Sequence, residues 1–146
     1  MRVVLQRVEK AKLIVDNEVL NEIKHGYLLL VSFTHTDNED NVYKMAKKIN
    51  GLRVFEDEND KLNLSIHDVK GSILSISQFT LYGNTTKGNR PSFVDSMKFD
   101  EAKVLYDLFN KVLNEEYKIE TKEGSFGNHM KLDFINDGPV TILLEN

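Results

Sequence analysis

The amino-acid sequence contains no cysteine, so it has neither a disulfide framework nor a thiolate zinc site. Long apolar runs are also missing. The longest extends from Tyr27 to Phe33, whereas a membrane-spanning helix needs about 20 apolar residues. Met1 leads directly into a strand-like segment rather than into an apolar signal core. We therefore expect a cytoplasmic protein with no membrane partner.

Basic residues are fewer than acidic ones. The formal net charge is −4, which argues against a broad, salt-driven nucleic-acid-binding surface. A local basic surface is still compatible with this balance, because Lys87 and Arg90 lie close together in the chain. The alternative interpretation of these two residues is ordinary solvated surface.

The periodicity of apolar residues predicts one domain, residues 1–146, of mixed α and β class. Two segments with helical spacing are expected to pack as helices on one face of a sheet system. The first helix begins after Asn38 and ends at Gly51, and the second contains Ala102 to Leu113. Strands are expected at 3–5 and 13–15, paired as a hairpin, and at 27–33, 52–55, 73–79, 117–120, 130–134 and 139–144. Residues 56–63 are predicted to be a polar turn and 83–98 a long loop.

Two polar segments at predicted strand ends form the candidate site: Ser77–Tyr82 and Asn136–Thr141. They combine hydroxyl, amide and glycine groups but contain no histidine or cysteine, so such a site would act by positioning and hydrogen bonding. The sequence lacks a nucleophile elbow, a zinc-binding helix motif and a phosphate-binding loop, and we expect no metal or cofactor. The ordinary alternatives are a capped sheet terminus and a plain turn.

Around these segments the chain resembles the D-aminoacyl-tRNA deacylase family over nearly its whole length. The family commonly has Thr-Gly where this chain has Glu123-Gly124, and Ala where it has Asn128, so the rim of the pocket is expected to differ. The matching motifs occur in order along the chain: Val4–Val8, Thr34-His35, Arg53–Asp57, Lys61–Asn63, Ser77–Tyr82, Lys87–Phe93, Phe126-Gly127 with Met130, and Asn136–Thr141.

The resemblance implies a homodimeric hydrolase with a three-layer β/β/α fold. It would cleave the ester between a D-amino acid, or glycine, and the terminal adenosine of tRNA, as a proofreading step in translation. The catalytic residues implied by the resemblance surround the adenosine and the aminoacyl ester, and Phe79 acts through its backbone amide. They are Ser77, Gln78, Phe79 and Thr80.

The resemblance also implies substrate contacts outside this segment. Gly138-Pro139, in a cis peptide, would be inserted from the partner subunit so that its carbonyls face the α-carbon of the substrate, and Arg7 would brace it. Phe126 and Met130 would belong to the substrate-binding pocket. The acidic net charge separately leads us to expect that contact with the body of the tRNA is local and carried by Lys87 and Arg90 on the long loop.

Two other functions agree with the same residues. A serine-type esterase would use Ser77 as a covalent nucleophile with His35 or His129 as its base. A non-catalytic tRNA-binding module would hold charged tRNA without cleaving it.

Overall fold

A computed structural model describes residues 1–146. Eight strands and two α-helices follow one another along the chain. A 3₁₀ turn, Phe79–Tyr82, follows the sixth strand, and a π-helical turn, Val112–Glu116, follows the second helix. The elements are β1 (Arg2–Val15), β2 (Glu18–Ile23), β3 (Gly26–Ser32), α1 (Glu39–Asn50), β4 (Arg53–Glu56), β5 (Leu62–Ser65), β6 (Ser72–Ser77), α2 (Phe99–Lys111), β7 (Thr121–Glu123) and β8 (Lys131–Glu145).

The first strand is longer than the sequence predicts. β1 is continuous over residues 2–15, so the predicted hairpin between residues 3–5 and 13–15 is wrong. Its polar break, Glu9 and Lys10, is exposed, and the register with β8 shifts there. Such an irregularity bends a strand without ending it. The true partner of the second half of β1 is β2, which follows a turn at Asp16 and Asn17, both with positive φ.

β8 is likewise one strand where the sequence predicts two, at 130–134 and 139–144. It pairs antiparallel with β1 along one edge, while β2 and β3 follow each other along the opposite edge of β1. The residues between the two predicted segments stay in the strand. They leave the ladder only locally, opposite the irregular part of β1.

The other half of the sheet is parallel. β3 pairs with β6, and β6 with β7. The strand predicted at 73–79 ends at Ser77, and that predicted at 117–120 is displaced to β7, because Ile119 is buried in the core outside the ladder. β4 and β5 form a separate two-stranded ribbon, so the predicted polar turn at 56–63 is shorter than expected.

Both predicted helices are present. The Asn38 side chain caps α1 by accepting from the backbone amides of Asp40 and Asn41, and Gly51 ends the helix. α2 begins at Phe99, shortly before the apolar residues that predict it. No helix is both long and apolar enough to cross a membrane.

Two apolar cores lie on opposite faces of the β3–β6 region, and this arrangement confirms the three-layer β/β/α fold. Both helices pack on one face, and the second half of β1, together with β2 and the first half of β8, covers the other. The helix-side core includes Val3, Leu5, Leu29, Val31, Ile73, Val42, Met45, Ile49, Leu105 and Phe109. The second core contains Val8, Ala11, Leu13, Ile23, Leu28, Leu74 and Ile76, with Leu132 and Phe134 packed against it.

Candidate active site

Two adjacent parallel strands end at the same place. Ser32 is the last residue of β3 and Ser77 the last of β6, and the carboxyl ends of parallel strands are the usual position of ligand sites in open α/β sheets. A cavity of about 540 Å³ opens there, large enough for a nucleoside-sized ligand. Its lining comes from these strand ends, from the start of α2 and from the segment after β7: Val31–Phe33, Ile76–Phe79, Phe93, Ser96, Met97, Phe99, Ala102, Phe126–Met130 and Leu132.

Three of the four predicted catalytic residues line this cavity: Ser77, Gln78 and Phe79. The backbone amide of Gln78 donates to the Val31 carbonyl at 2.7 Å, which ties the end of β6 to β3. The Phe79 amide begins the 3₁₀ turn, and the first amides of a helical turn have no partner within it. The Phe79 ring is 58% exposed and meets the Phe93 ring edge-on at 5.1 Å.

Thr80 is the exception among the predicted catalytic residues. It is exposed and does not line the cavity. Its hydroxyl accepts from the Gln78 side-chain amide at 2.5 Å. In this structure Thr80 therefore orients Gln78, and any role in binding would pass through that side chain.

Phe126 and Met130, in the segment that follows β7, also line the cavity. The Phe126 ring packs edge-on against Phe99, with centroids 5.0 Å apart. Gly127 has φ of 78°, and a Cβ there would lie 2.5 Å from the Phe99 ring, so glycine is required by both conformation and space. Both residues therefore lie at the cavity, and their role in substrate binding stays a prediction.

No basic side chain is placed to activate Ser77. Its hydroxyl makes no hydrogen bond to a histidine, and His35 lies outside the cavity, with its Nε2 at 2.6 Å from the Val94 carbonyl oxygen. His129 lines the cavity but is exposed. No group of three or more His, Asp or Glu side chains is arranged to hold a metal ion. The cavity offers hydrogen-bonding groups and apolar walls, not a nucleophile with its base.

The second predicted motif, Gly138-Pro139, lies elsewhere. Both residues are exposed in β8, their peptide bond is cis, and neither lines the cavity of the same chain. Arg7 lies against the motif and is 2% exposed. Its Nε donates to the Asp137 carbonyl at 3.2 Å, and its Nη1 donates to the Val54 carbonyl at 2.9 Å. The structure thus places Arg7 in contact with the motif's own segment.

The electrostatic partners of Arg7 fix its orientation. Its Nε lies 3.1 Å from the Asp137 carboxylate, and its Nη2 lies 3.4 Å from that of Glu56. The Asn136 side chain donates to the carbonyls of Arg7 and Val140, at 2.9 and 3.1 Å. A buried guanidinium with this many partners loses them all if it moves, so the backbone on either side of Gly138 is held firmly.

Lys87 and Arg90 are exposed on the long loop and form no ion pair. The loop is closed at its base by a reciprocal backbone pair between Asn84 and Ser92, at 2.8 and 2.9 Å. At its side, Arg2 lies 4.4 Å from the Tyr82 ring centroid. Burial, together with the Asp37 charge, raises the pKa of Tyr82 to about 12, so this hydroxyl stays neutral near pH 7. Two exposed cations without ion-pair partners on one loop suit a polyanionic ligand.

Sequence reasoning missed several residues of the cavity wall. Ser32, Met97 and Phe99 are distant in the sequence from both motifs and are brought to the cavity by the fold. No local sequence signal marks these residues, and Phe99 stays 60% exposed at the start of α2 although it lines the cavity.

A mixed sheet whose parallel strands end at an open, largely apolar cavity with a few hydrogen-bonding groups has the architecture of a ligand-binding α/β protein. The model of the D-Tyr-tRNA(Tyr) deacylase family matches residues 4–145. The chain belongs to this family, which confirms the resemblance inferred from the motifs.

Relatives of known name are similar over the full length. The D-aminoacyl-tRNA deacylase of Fusobacterium nucleatum subsp. nucleatum is 53% identical over 145 residues, which cover 99% of this chain and 95% of the relative. That of Lactobacillus gasseri is 53% identical over 146 residues, covering 99% of each chain.

Two solved structures superpose on the chain. The protein named c-Myc DNA Unwinding Element Binding Protein has a TM-score of 0.94 at 38% identity and covers 100% of this chain and 99% of its own. A probable eukaryotic D-amino acid tRNA deacylase has a TM-score of 0.85 at 18% identity, covering 98% and 97%. At that identity the second likeness shows the shared fold alone.

Proposed function

We propose that this protein is a D-aminoacyl-tRNA deacylase, a hydrolase that cleaves the ester between a D-amino acid, or glycine, and the terminal adenosine of tRNA. The observation that carries the proposal is the cavity at the ends of β3 and β6, which presents Ser77, Gln78 and the Phe79 amide without a general base. Hydrolysis of charged tRNA belongs to translation quality control, which places the proposed activity in the cytoplasm.

Catalysis in such a site depends on donors aimed at the ester. Water attacks the ester carbonyl carbon, negative charge develops on the carbonyl oxygen, and the ribose oxygen of the adenosine leaves with a proton. The Phe79 amide and the hydrogen-bonding groups of Ser77 and Gln78 are the candidates to stabilise that oxygen and orient the ribose. One well-placed donor of this kind contributes about 100- to 1000-fold in rate, and orientation of a reactive ester contributes further.

We propose that the enzyme acts as a homodimer. The Gly138-Pro139 segment is exposed and lies outside its own cavity, so it would complete the site of a partner subunit. β8 supports this arrangement: none of its residues is buried, its second edge is unpaired, and Ile135 and Leu143 are 43% and 60% exposed. A long unpaired edge with apolar residues is typical of an interface, and two-fold pairing would build two equivalent sites.

We propose that the enzyme rejects L-amino acids rather than gripping the D side chain. Gly138 and Pro139 would present backbone carbonyls to the substrate's α-carbon, where an L side chain would collide with them. Glycine and D side chains would be free to point away. Such discrimination by exclusion makes the identity of the D side chain a minor factor.

Contact with the tRNA body is assigned to Lys87 and Arg90, the exposed and unpaired cations of the long loop. The overall charge of −4 restricts electrostatic attraction to such local positions. These contacts position the substrate without taking part in ester cleavage.

A nucleic-acid-binding protein without catalytic activity is the second candidate, favoured by the likeness to the protein named for binding a DNA unwinding element. A serine-type esterase is the third, and it would leave an acyl group on Ser77 that mass spectrometry detects.

The testing experiment is incubation of the purified protein with D-tyrosyl-tRNA, following release of free D-tyrosine against a blank. Release without an acyl-serine intermediate supports the deacylase. Binding of the charged tRNA with no release above the blank would instead establish the non-catalytic alternative.

A further inference from the structure

One buried tyrosine lies behind the cavity and contacts two of the chain segments that line it. Tyr106, in α2, is 1% exposed. Its hydroxyl donates to the Ser75 carbonyl at 2.6 Å and accepts from the Gly124 amide at 3.1 Å. The Gly124 amide also donates to the Ser75 carbonyl, at 2.7 Å. The three groups therefore form a closed triangle of hydrogen bonds between a helix and the ends of two strands.

Each corner of this triangle lies directly behind a part of the proposed active site. Ser75 is two residues before Ser77 on β6, and Gly124 is two residues before Phe126, in the segment that follows β7. The Tyr106 ring itself packs against Phe126, with centroids 5.4 Å apart. A shift of the hydroxyl would therefore move Ser77 and Phe126 relative to α2.

The core around this bridge also holds buried polar groups. The Ser75 hydroxyl and both polar atoms of the Asn110 side chain are buried there without hydrogen-bond partners. Burial raises the pKa of Tyr106, so the hydroxyl stays protonated and remains a donor near pH 7. The hydroxyl can therefore donate to the Ser75 carbonyl near neutral pH.

We propose that Tyr106 is a positioning residue for ester hydrolysis, whose hydroxyl fixes the positions of Ser77 and Phe126 relative to α2. This inference rests on the proposed function for its catalytic readout. The variant Tyr106→Phe separates the role of the hydroxyl from that of the ring, because it keeps the ring's contact with Phe126. Ser75 and Gly124 also retain their direct bond in that variant, so no backbone group loses its last partner.

The experiment compares Tyr106→Phe with Tyr27→Phe. Tyr27 is the matched control, since it is equally buried, its hydroxyl has no hydrogen-bond partner, and it does not line the cavity. With D-tyrosyl-tRNA, we expect Tyr106→Phe to lower kcat about tenfold while KM changes less than about twofold, because geometry and not binding is lost. Tyr27→Phe should match the wild type. Equal kcat for Tyr106→Phe and wild type would overturn the proposal.

A second measurement tests whether the two corners act through one bridge. Gly124→Ala places a Cβ 3.2 Å from the Ser75 carbonyl oxygen, and 3.1 and 3.2 Å from Ile76 Cδ1 and Met130 Sδ at the cavity, so it disturbs the triangle from its other corner. The losses in kcat of Tyr106→Phe and Gly124→Ala should be clearly less than additive in the double variant; full additivity would contradict a shared bridge.

Amide spectra give a readout that does not need activity. The Phe126 and Gly127 amide resonances should shift in Tyr106→Phe but not in Tyr27→Phe, and unchanged resonances would count against the bridge. If the wild-type protein cleaves no ester while these resonances shift, the proposed function fails and the bridge stands.

Discussion

Replacing Gly138 by alanine tests the second motif most sharply. Gly138 has φ of 113°, and an added Cβ would lie 2.9 Å from Arg7 Nη2, 2.9 Å from Val140 Cγ2 and 3.1 Å from the Val140 amide nitrogen. Both the backbone angle and the contacts are unfavourable, so we expect a loss of roughly 1–3 kcal/mol in the free energy of unfolding. For a chain of this size that corresponds to a melting temperature lower by roughly 2–12 °C.

We expect Gly138→Ala to lose more activity than its loss of folding stability alone would cause. The contact pushes on the Arg7 guanidinium, which holds the motif's backbone, and a displacement of about 1 Å at a positioning group costs about 100-fold in rate. Activity is measured as release of D-tyrosine from its tRNA ester, at a temperature where both proteins are folded. Gly51→Ala is the control, because its φ is −92° and its nearest contact would be 3.6 Å.

Mixing two inactive variants tests whether the motif works in the partner's site. Ser77→Phe blocks a cavity, and Gly138→Ala disables a motif, so a dimer with one subunit of each retains one intact site. After subunit exchange at equal concentrations, half of the dimers are mixed, and we expect about a quarter of the wild-type activity. Full activity of Gly138→Ala on its own, or no recovery on mixing with a verified exchange of subunits, would refute the shared site.

The remaining predictions concern three other places. Ser77→Ala should keep part of its activity, with kcat reduced about 10- to 100-fold; a loss of about a million-fold would indicate a covalent nucleophile. Lys87→Ala with Arg90→Ala should raise KM and reduce the salt dependence of binding, with kcat little changed; an unaltered KM and salt slope would exclude the loop as the tRNA contact. Burial, followed by the Asp107 charge, raises the pKa of Glu123 above its usual 4.5; ionised Glu123 therefore destabilises the folded chain as pH rises through that raised pKa. Glu123→Gln should melt higher than wild type at about pH 7 and equally at about pH 3, and an equal melting temperature at both pH values would contradict this.

The helices were predictable because their signals are local. An acidic first turn, apolar residues at helical spacing and a terminal Gly51 predict α1 without reference to the rest of the chain. The first site motif was predictable for a similar reason, since polar residues directly follow a buried strand. Ser77, Gln78 and Phe79 all lie at one cavity as a result.

The secondary-structure predictions are wrong where contacts between residues distant in the sequence determine the structure. The polar pair Glu9 and Lys10 predicts a break between two strands, but pairing with β8 on one side keeps β1 continuous at these residues. The same ladder joins the two halves of β8. The contacts of Tyr106 and Phe99 were not foreseeable either, because nothing in a helix's own spacing indicates which loop its side chains will support.

The central claim is that this chain hydrolyses D-aminoacyl and glycyl esters of tRNA and spares L-aminoacyl esters. It is tested most directly by initial rates of ester loss from D-tyrosyl-, D-aspartyl-, glycyl-, L-tyrosyl- and L-alanyl-tRNA at one enzyme concentration. The account predicts cleavage of the first three at similar rates and hydrolysis of the L-esters at least about 100-fold more slowly. Equal rates for L-tyrosyl- and D-tyrosyl-tRNA, or no cleavage of the D-esters, would contradict it.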